Sequence, residues 1–316
     1  MITMRTDIQP AVEADSNTVA QNGRPAAACD MVRPGANHWH GCDERPRTAL
    51  EEPSPGEIRQ LLAGDWRGTG ALRLDSTLTH EEVGGIPFLA DARSVLDYVK
   101  HQGRLRVTRD GSLTRSVIAA LLPRLRIAGA RPAIVGLNAR PALTESDVRW
   151  LPALRQALTL GELLVRREGA LWLTNRGSHL LAADHAGELY RLLFRKLFRQ
   201  VDLRALTRDD RHARLQATIA YSFFKLRTGA QQWASLEALA ETAWLASAKD
   251  LPNEWEAANI DVRHYAFQHR VLDPLVVVGL LEERRAAMRD AAIEMVEFRC
   301  TPLYDRFMRF ELSAPH

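Results

Sequence analysis

The stretch LLVRREGALWLTNRGS, residues 163–178, decides the fold at the centre of this chain. A strand-like run at 163–168 and a second at 170–173 meet at Glu168-Gly169, where a tight turn would fold one strand back on the other. Thr174 follows the second run, and threonine is a preferred residue at the start of a helix. The stretch therefore predicts a two-stranded hairpin that leads into a helix.

A shorter copy of the pattern precedes this hairpin in the chain. GRLRVTRDGS at 103–112 matches GALWLTNRGS at 169–178, and each copy predicts a turn, a short alternating strand and a threonine that caps a new helix. We expect Gly103 and Gly169 to adopt a positive φ, which favours glycine. At Gly70, where the repeat is weaker, we expect a larger side chain to be better tolerated.

Helices are predicted on both sides of this hairpin from apolar residues at helical spacing, from capping residues and from Gly or Pro stops. The predicted elements are a helix from 54, a strand at 69–74, helices at 90–101 and 114–122, a loop at 126–142, a helix from 144 to 161, a short helix through 180–181 and a long helix at 184–201. In the second half, helices are predicted at 211–227, 235–246 and 253–278, the last interrupted at Pro274. Strands are predicted at 279–285 and 295–300, separated by about nine residues and closed by Thr301.

The same order of helices and a hairpin thus occurs twice. It predicts a mainly α (α+β) fold with two winged-helix modules, short β-hairpin wings and extra helices. The predicted divisions are a disordered tail at 1–53, a helical region with the first module at 54–202, and the second module at 211–316.

The run from Leu163 to Gly177 resembles the wing of bacterial winged-helix regulators of the MarR and PadR type. The resemblance covers roughly 35 residues there and a looser region of similar length near the C-terminus. The segment 98–125 resembles a helical region of uncharacterised plasmid-associated bacterial proteins. These resemblances imply duplex DNA binding, as a regulator or a plasmid- or phage-linked factor, because most winged-helix regulators bind DNA. Other winged helices are protein-interaction modules.

Composition narrows the class of protein. An apolar content of 46% is enough for a packed core, and no run is long and apolar enough to predict a membrane span or a membrane partner. The first residues lack the apolar core of a signal peptide, and three cysteines do not make a disulfide framework, so we expect a cytoplasmic protein. Only four of the 42 basic residues are lysine, which the codon bias of a GC-rich genome explains better than function does, so only the placement of the arginines is informative.

Arginine placement is the basis for a predicted nucleic-acid site, because phosphate contacts supply most of the affinity for DNA. No acid occurs between 190 and 201, which leaves a basic stripe on the long helix. A solvated helix face and an acidic protein partner are the alternatives for that stripe. The predicted nucleic-acid-binding residues are Arg149, Arg155, Arg166, Arg167, Arg176, Arg191, Arg195 and Arg199.

The second hairpin mixes arginines with Glu282 and Glu283, a pattern that suits a protein surface better than a phosphate backbone. A scaffold that docks a protein partner or a second copy of the chain is therefore the alternative function. Aromatic residues near the first hairpin are predicted to form core, and they are Trp150, Trp172, Tyr190, Phe194 and Phe198.

Catalytic signatures such as a Walker loop or a nucleophile elbow are missing from the sequence, so we expect a non-enzymatic protein with no catalytic residue and no cofactor. Cys29, His38, His40 and Cys42 have the residue types of a zinc site but not its usual spacing. His38 and His40 also match the histidine pair of single-strand nicking endonucleases, although glycine and proline around them argue against the strand that such a pair needs.

Overall fold

The computed structural model describes residues 52–64, 66, 70–127, 143–207, 213–245, 262–287 and 294–312. The predicted metal candidates Cys29, His38, His40 and Cys42, almost all of the predicted N-terminal tail and most of the predicted loop at 126–142 lie outside these residues. Glu44–His316 forms one compact unit. Of the described residues, 59% are helical and 15% lie in strands, which confirms the mainly helical α+β class.

The elements follow in chain order. The helices are α1 (Pro55–Ala63), α2 (His80–Val83), α3 (Pro87–Gln102), α4 (Arg115–Leu121), α5 (Leu151–Leu160), α6 (Asn175–Leu180), α7 (Ala186–Arg199), α8 (Ala213–Ala217), α9 (Ile219–Gly229), α10 (Leu236–Ala243), α11 (Val262–Phe267), α12 (Asp273–Val277) and α13 (Pro302–Phe307). The strands are β1 (Leu72–Leu74), β2 (Arg104–Arg106), β3 (Leu164–Arg167), β4 (Ala170–Leu173), β5 (Ala234–Ser235), β6 (Leu281–Ala287), β7 (Glu294–Cys300) and β8 (Met308–Phe310).

The described strands form three antiparallel sheets with the orders β1-β8, β2-β4-β3 and β5-β7-β6. In both three-stranded sheets, the last strand in sequence lies between the other two. The helices recur as well: α3, β2, α4, α5, β3 and β4 in the first half are matched by α9, β5, α10, the α11–α12 helix, β6 and β7 in the second. The chain therefore contains one arrangement of helices and strands twice.

The two copies of the sequence repeat are hydrogen-bonded neighbours, since β2 pairs antiparallel with β4. Gly103 has a φ of 82° and Gly169 a φ of 70°, which confirms the expected positive values. Thr174 caps α6 as predicted, because its hydroxyl oxygen accepts the N–H of Gly177 at 2.9 Å. The predicted cap at Thr108 is wrong: its N–H donates to the carbonyl of Ser112 in a tight turn, and α4 instead begins after Thr114.

The same backbone contacts anchor both hairpins to the helix before them. The N–H of Leu163 donates to the carbonyl of Leu158 at 3.0 Å, and the N–H of Leu280 donates to that of Leu275 at 2.9 Å. At the other end, the hydroxyls of two threonines donate to the carbonyl two residues before the first strand: Thr174 to that of Glu162 at 2.7 Å, and Thr301 to that of Gly279 at 2.8 Å. Glu162 and Gly279 both have a positive φ, 59° and 78°. The likeness of the two halves thus extends to individual hydrogen bonds.

Prolines account for two differences from the predicted helices. The predicted helix from 144 is divided into a 3-10 turn, Glu145–Asp147, and α5, because Pro152 fits only the first turn of a helix. Before Pro274 the helix widens into a π-helical turn, Gln268–Leu272. Proline donates no N–H and its ring crowds the preceding turn, which a wider turn relieves.

One buried core joins the two halves. Phe194 and Phe198 of α7 contact Phe223 of α9 with ring centroids 5.7 and 5.0 Å apart, and Phe194 also contacts Phe307 of α13. The Tyr190 hydroxyl donates to the carbonyl of Val278 at 2.7 Å. The predicted division into 54–202 and 211–316 stays a prediction of how the modules are divided along the chain. Among the described residues, no helix is both long and apolar enough to cross a membrane.

The positive φ of Gly169 can be tested by comparison with Gly85, a glycine where a side chain would have as much room. A Cβ at either Gly169 or Gly85 would meet no atom within 4 Å, but only Gly169 has a positive φ. We expect Gly169→Ala to lower the free energy of unfolding by about 1–2 kcal/mol through backbone strain alone. Gly85→Ala should change it by less than about 0.5 kcal/mol. Chemical denaturation measures both, and equal losses would show that the turn at 168–169 is not as described.

The expectation that Gly70 tolerates a side chain better than Gly169 is wrong. A Cβ at Gly70 would lie 2.7 Å from the Cα of Gly64, which is backbone and cannot rotate away. Gly70 is therefore constrained by the close approach of two chain segments and not by its own φ.

Candidate nucleic-acid interface

The first three-stranded sheet presents an outer face that carries arginines around a tryptophan. Directly paired residues of an antiparallel sheet point to the same side. The register pairs Trp172 with Arg104 on one side and with Val165 on the other. In the next row on the same side, Ala170 lies between Arg106 and Arg167. We call this surface, formed by Arg104, Arg106, Val165, Arg167, Ala170 and Trp172, the outer sheet face.

Its arginines are open to solvent. Arg104 and Arg106 are exposed on either side of the buried Leu105, as expected where alternate residues of a strand face opposite sides, and Arg167 is exposed at the end of β3. Among the described residues, neither Arg104 nor Arg167 has a carboxylate within salt-bridge distance. The outer sheet face therefore keeps positive charge that intramolecular ion pairs do not neutralise.

Trp172 lies at the centre of this face. The guanidinium carbon of Arg104 is 5.7 Å from the centroid of its ring, and its indole N–H donates to the carbonyl of Arg167 at 3.3 Å. The ring is only partly buried, so the prediction that Trp172 belongs to the core is wrong. The same prediction is confirmed for Trp150, Tyr190, Phe194 and Phe198, which are all buried.

A shallow pocket of about 350 Å³ borders the face beyond β2. It lies between the end of α3 and the start of α4, and its lining residues are Tyr98, Gln102, Arg104, Arg106, Ser116 and Val117. The guanidinium carbon of Arg124 is 5.8 Å from the ring centroid of Tyr98 and adds a third cation close by. The lining thus combines two arginines with hydroxyl and amide groups and contains no carboxylate, which is the chemistry that binds an anion.

Two acidic side chains near this region are bound to other groups. Asp97 lies 3.5 Å from the ring of His101. Asp110 accepts hydrogen bonds from the hydroxyls of Thr108 and Ser112, which lower the pKa of its carboxyl group. Glu168 differs, because it is an exposed carboxylate at the tip of the hairpin. Negative charge at this surface is therefore found at the tip and not on the outer sheet face.

The three predicted arginines of the first hairpin lie in different surroundings. Arg167 belongs to the outer sheet face. Arg166 points to the opposite side and donates to the carbonyl of Arg109 at 3.0 Å, so it packs over the turn before α4. Arg176 forms an exposed ion pair with Glu162 at 3.2 Å.

Arg149 and Arg155, which the sequence assigned to nucleic-acid binding, form intramolecular ion pairs. Arg155 donates to Glu145 at 2.7 Å, and the side chains are 20% and 3% exposed. Arg149 donates to Asp273 at 2.6 Å and to His269 at 2.8 Å, which joins the first half of the chain to the second. Both arginines serve these contacts, so they are not part of the surface that we consider below.

The basic stripe predicted at 191–199 lies on α7, which packs against α5, α3 and α6. Arg191 and Arg195 are half-buried, and the guanidinium carbon of Arg199 is 5.1 Å from the ring of Trp66. These three arginines therefore lie on α7, the helix that carries much of the core. They do not belong to the strands that form the outer sheet face.

The helix before each hairpin is poor in free cations. In α5 the one arginine is bound to Glu145, and every other side chain is apolar or uncharged. In the second half, Arg270 is buried and donates to the hydroxyl of Thr207 at 2.7 Å, while His269 contacts Asp273. The α5 helix therefore presents no basic face of the kind that enters a DNA groove.

The second hairpin neutralises its own charge. Arg284 pairs with Glu297 at 2.6 Å and Arg299 with Glu282 at 2.7 Å. The guanidinium carbons of both arginines also lie over the ring of Trp233, at 4.5 and 4.7 Å from its centroid. The arginines and glutamates that alternate in the sequence of this hairpin thus form cross-strand ion pairs around Trp233.

Among the described residues, no group of three or more His, Cys, Asp or Glu side chains could hold a metal ion. Burial, and then the nearby Asp305, raise the pKa of the Cys300 thiol to about 12. Cysteine reacts as its thiolate, so Cys300 is not an activated nucleophile.

Arg104 and Arg106 are candidate residues that were not predicted from the sequence. The signal was present, because both alternate with apolar residues in the first copy of the repeat and so had to share one side of a strand. The sequence did not predict that β2 pairs with β4, and this pairing places Arg104 and Arg106 on the same face as Trp172 and Arg167.

Comparisons with models of known protein families, with curated proteins and with solved structures found no match for this chain.

Proposed function

We propose that this protein is a non-enzymatic DNA-binding protein that uses the outer sheet face of its first module. The main observation in support is the cluster of exposed arginines around Trp172, which lies beside a pocket lined by no carboxylate. Such a surface suits a phosphate backbone, because arginine donates to phosphate through a planar fork and remains charged at all physiological pH values.

The proposal includes two winged-helix modules. It is supported by the repeated order helix, strand, helix, helix, strand, strand, and by sheets in which the third strand lies in the middle. In many winged helices the third helix reads a groove of DNA. Here α5 lacks free cations, so we place the contact on the sheet and the first hairpin. A cytoplasmic location and a role as a regulator or a plasmid- or phage-linked factor belong to the same proposal, and the genes encoded next to this one would test that role.

Salt dependence tests the proposed contact. We expect binding to a DNA duplex with single-stranded tails to weaken steeply with salt, because each neutralised phosphate releases counterions. Arg104→Gln and Arg167→Gln should each reduce the slope of log K against log salt by roughly 0.7–0.9. Fluorescence anisotropy between low and moderate salt measures this slope.

Arg73→Gln is the matched control, since it removes an exposed arginine that pairs with Glu311 on the β1–β8 sheet. We expect the control to leave the slope unchanged. Absence of binding at low salt, or an equal change of slope in the control, would contradict the proposal.

The second candidate function is a protein-interaction scaffold, which the self-paired second hairpin favours. With its charges neutralised around Trp233, that hairpin suits a protein surface better than a phosphate backbone. A molar mass that rises with concentration, and that Trp233→Ala returns to the monomer value, would favour a scaffold that binds a second copy. Light scattering after gel filtration measures it.

A further inference from the structure

We propose that the outer sheet face binds an unpaired nucleic-acid strand, with a base stacked on Trp172 and a phosphate held in the adjoining pocket. The inference rests on the proposed DNA binding and specifies which form of nucleic acid the surface fits. It follows from the shape of the surface, from its central aromatic ring and from the position of the exposed Glu168 at the hairpin tip.

The shape of the surface favours a strand over a groove. The major groove of duplex DNA admits a protruding helix or a two-stranded ribbon with polar side chains that reach the bases. In this module α5 is held against the core, and its arginine is bound to Glu145. The ribbon β3–β4 ends in the carboxylate of Glu168, which phosphates on both sides of a groove would repel. A strand that crosses the sheet avoids both obstacles.

Trp172 supplies the stacking surface. Proteins that bind single strands combine a basic surface with aromatic rings, because every base has a face that can stack. The ring of Trp172 is partly exposed and is fixed by its hydrogen bond to the Arg167 carbonyl. The Arg104 guanidinium lies over one face of the ring, 5.7 Å from its centroid, so a base would stack on the other face. In a duplex the base faces are covered by their neighbours, so this ring can be used fully only by an unpaired base.

The pocket supplies the phosphate site. Arg104 and Arg106 leave the same side of β2 two residues apart, a separation of roughly 7 Å along an extended strand. That spacing lets them contact one phosphate from two sides or two neighbouring phosphates of one strand. Gln102 and Ser116 line the same pocket and add neutral donors. The base site and the phosphate site are adjacent, because Arg104 and Trp172 are directly paired.

Three probes test the inference. They are a fluorescein-labelled oligothymidine of about 12 nucleotides, a dumbbell duplex whose two ends are closed by hexaethylene glycol linkers so that it contains no unpaired base, and an open duplex of the same sequence with a single-stranded tail. We expect the oligothymidine and the tailed duplex to bind the unaltered protein about 10-fold or more tightly than the dumbbell does, because only they offer an unpaired base. Fluorescence anisotropy at low salt measures all three.

Variants separate stacking from charge. Trp172→Leu should weaken oligothymidine binding about 10-fold and leave dumbbell binding unchanged, whereas Trp172→Phe should restore most of the affinity. Trp233→Leu, at a tryptophan that also lies between arginines, is the matched control and should have no effect. Arg106→Gln alters an exposed side chain that leaves the fold intact, and it should weaken oligothymidine binding with a shallower salt slope.

The two proposals fail in different ways. If the dumbbell binds as tightly as the oligothymidine, or if Trp172→Leu and Arg106→Gln both bind the oligothymidine normally, the unpaired-strand inference is overturned while DNA binding stands. If none of the three probes binds at low salt, the proposed function is overturned as well.

Discussion

Replacing Gly187 with alanine is expected to lower the free energy of unfolding by about 3 kcal/mol or more, the upper range for over-packed sites. Gly187 is the second residue of α7, and a Cβ there would lie 2.3 Å from the carbonyl oxygen of Leu78 and 2.6 Å from that of Ser76. Both atoms belong to the backbone, so α7 itself would have to move. Because α7 carries Phe194 and Phe198 into the shared core, that movement would loosen both halves of the protein.

Gly56 provides the matched control for this substitution. It is the second residue of α1, and the nearest atom to a Cβ there is the hydroxyl oxygen of Ser54 at 3.8 Å. Gly56→Ala should therefore raise the free energy of unfolding by up to about 1 kcal/mol, because alanine favours the helix. Urea denaturation of both variants measures the difference. Equal stabilities would mean that α7 does not approach the 76–78 segment as closely as described.

The first hairpin could be predicted because everything that fixes it is local. Its turn is made by two adjacent residues, Glu168 and Gly169, and both adopt the positive φ that such a turn needs. Its end is marked by Thr174, which caps the next helix and also donates to the carbonyl of Glu162, two residues before the first strand. Each of these contacts joins residues that are close in sequence, so a short sequence pattern is enough to predict it.

Long-range pairings could not be predicted in this way. Strand β1 was expected at 69–74, but its sequence does not indicate that it pairs with β8, which lies more than two hundred residues later. The second copy of the repeat was recognised by its similarity to the first, and yet similarity does not reveal that β2 and β4 lie side by side. Register and adjacency depend on how helices pack, and that information is distributed over the whole core.

The candidate site shows the same limit for charges. Arg149 and Arg167 look alike in the sequence, since both are arginines close to the first hairpin. Arg149 meets His269 and Asp273 across sequence separations of 120 and 124 residues, whereas Arg167 remains exposed. Whether an arginine is available to a ligand depends on such remote acids. Trp172 was wrongly assigned to the core, although strand alternation places its side chain opposite the buried Leu171.

Replacing Arg155 with alanine should distinguish a structural arginine from a DNA-binding one. The change leaves the Glu145 carboxylate, only 3% exposed, with the Leu113 N–H at 2.6 Å as its remaining partner in this cluster. A buried charge that loses its counterion is strongly destabilising, so we expect a loss of about 2–4 kcal/mol in the free energy of unfolding. Arg176→Ala breaks an exposed pair with Glu162 and should change stability by less than about 0.5 kcal/mol.

We also expect Arg155 to make no contribution to DNA binding. At a temperature where the Arg155→Ala protein is fully folded, its salt slope for DNA should equal that of the unaltered protein, because Arg155 donates to Glu145 and not to the proposed ligand surface. Thermal melts combined with anisotropy titrations give both quantities. If the Arg155→Ala protein is as stable as the unaltered protein but has a reduced salt slope for DNA, Arg155 contacts nucleic acid. The interface would then include α5 and not only the outer sheet face.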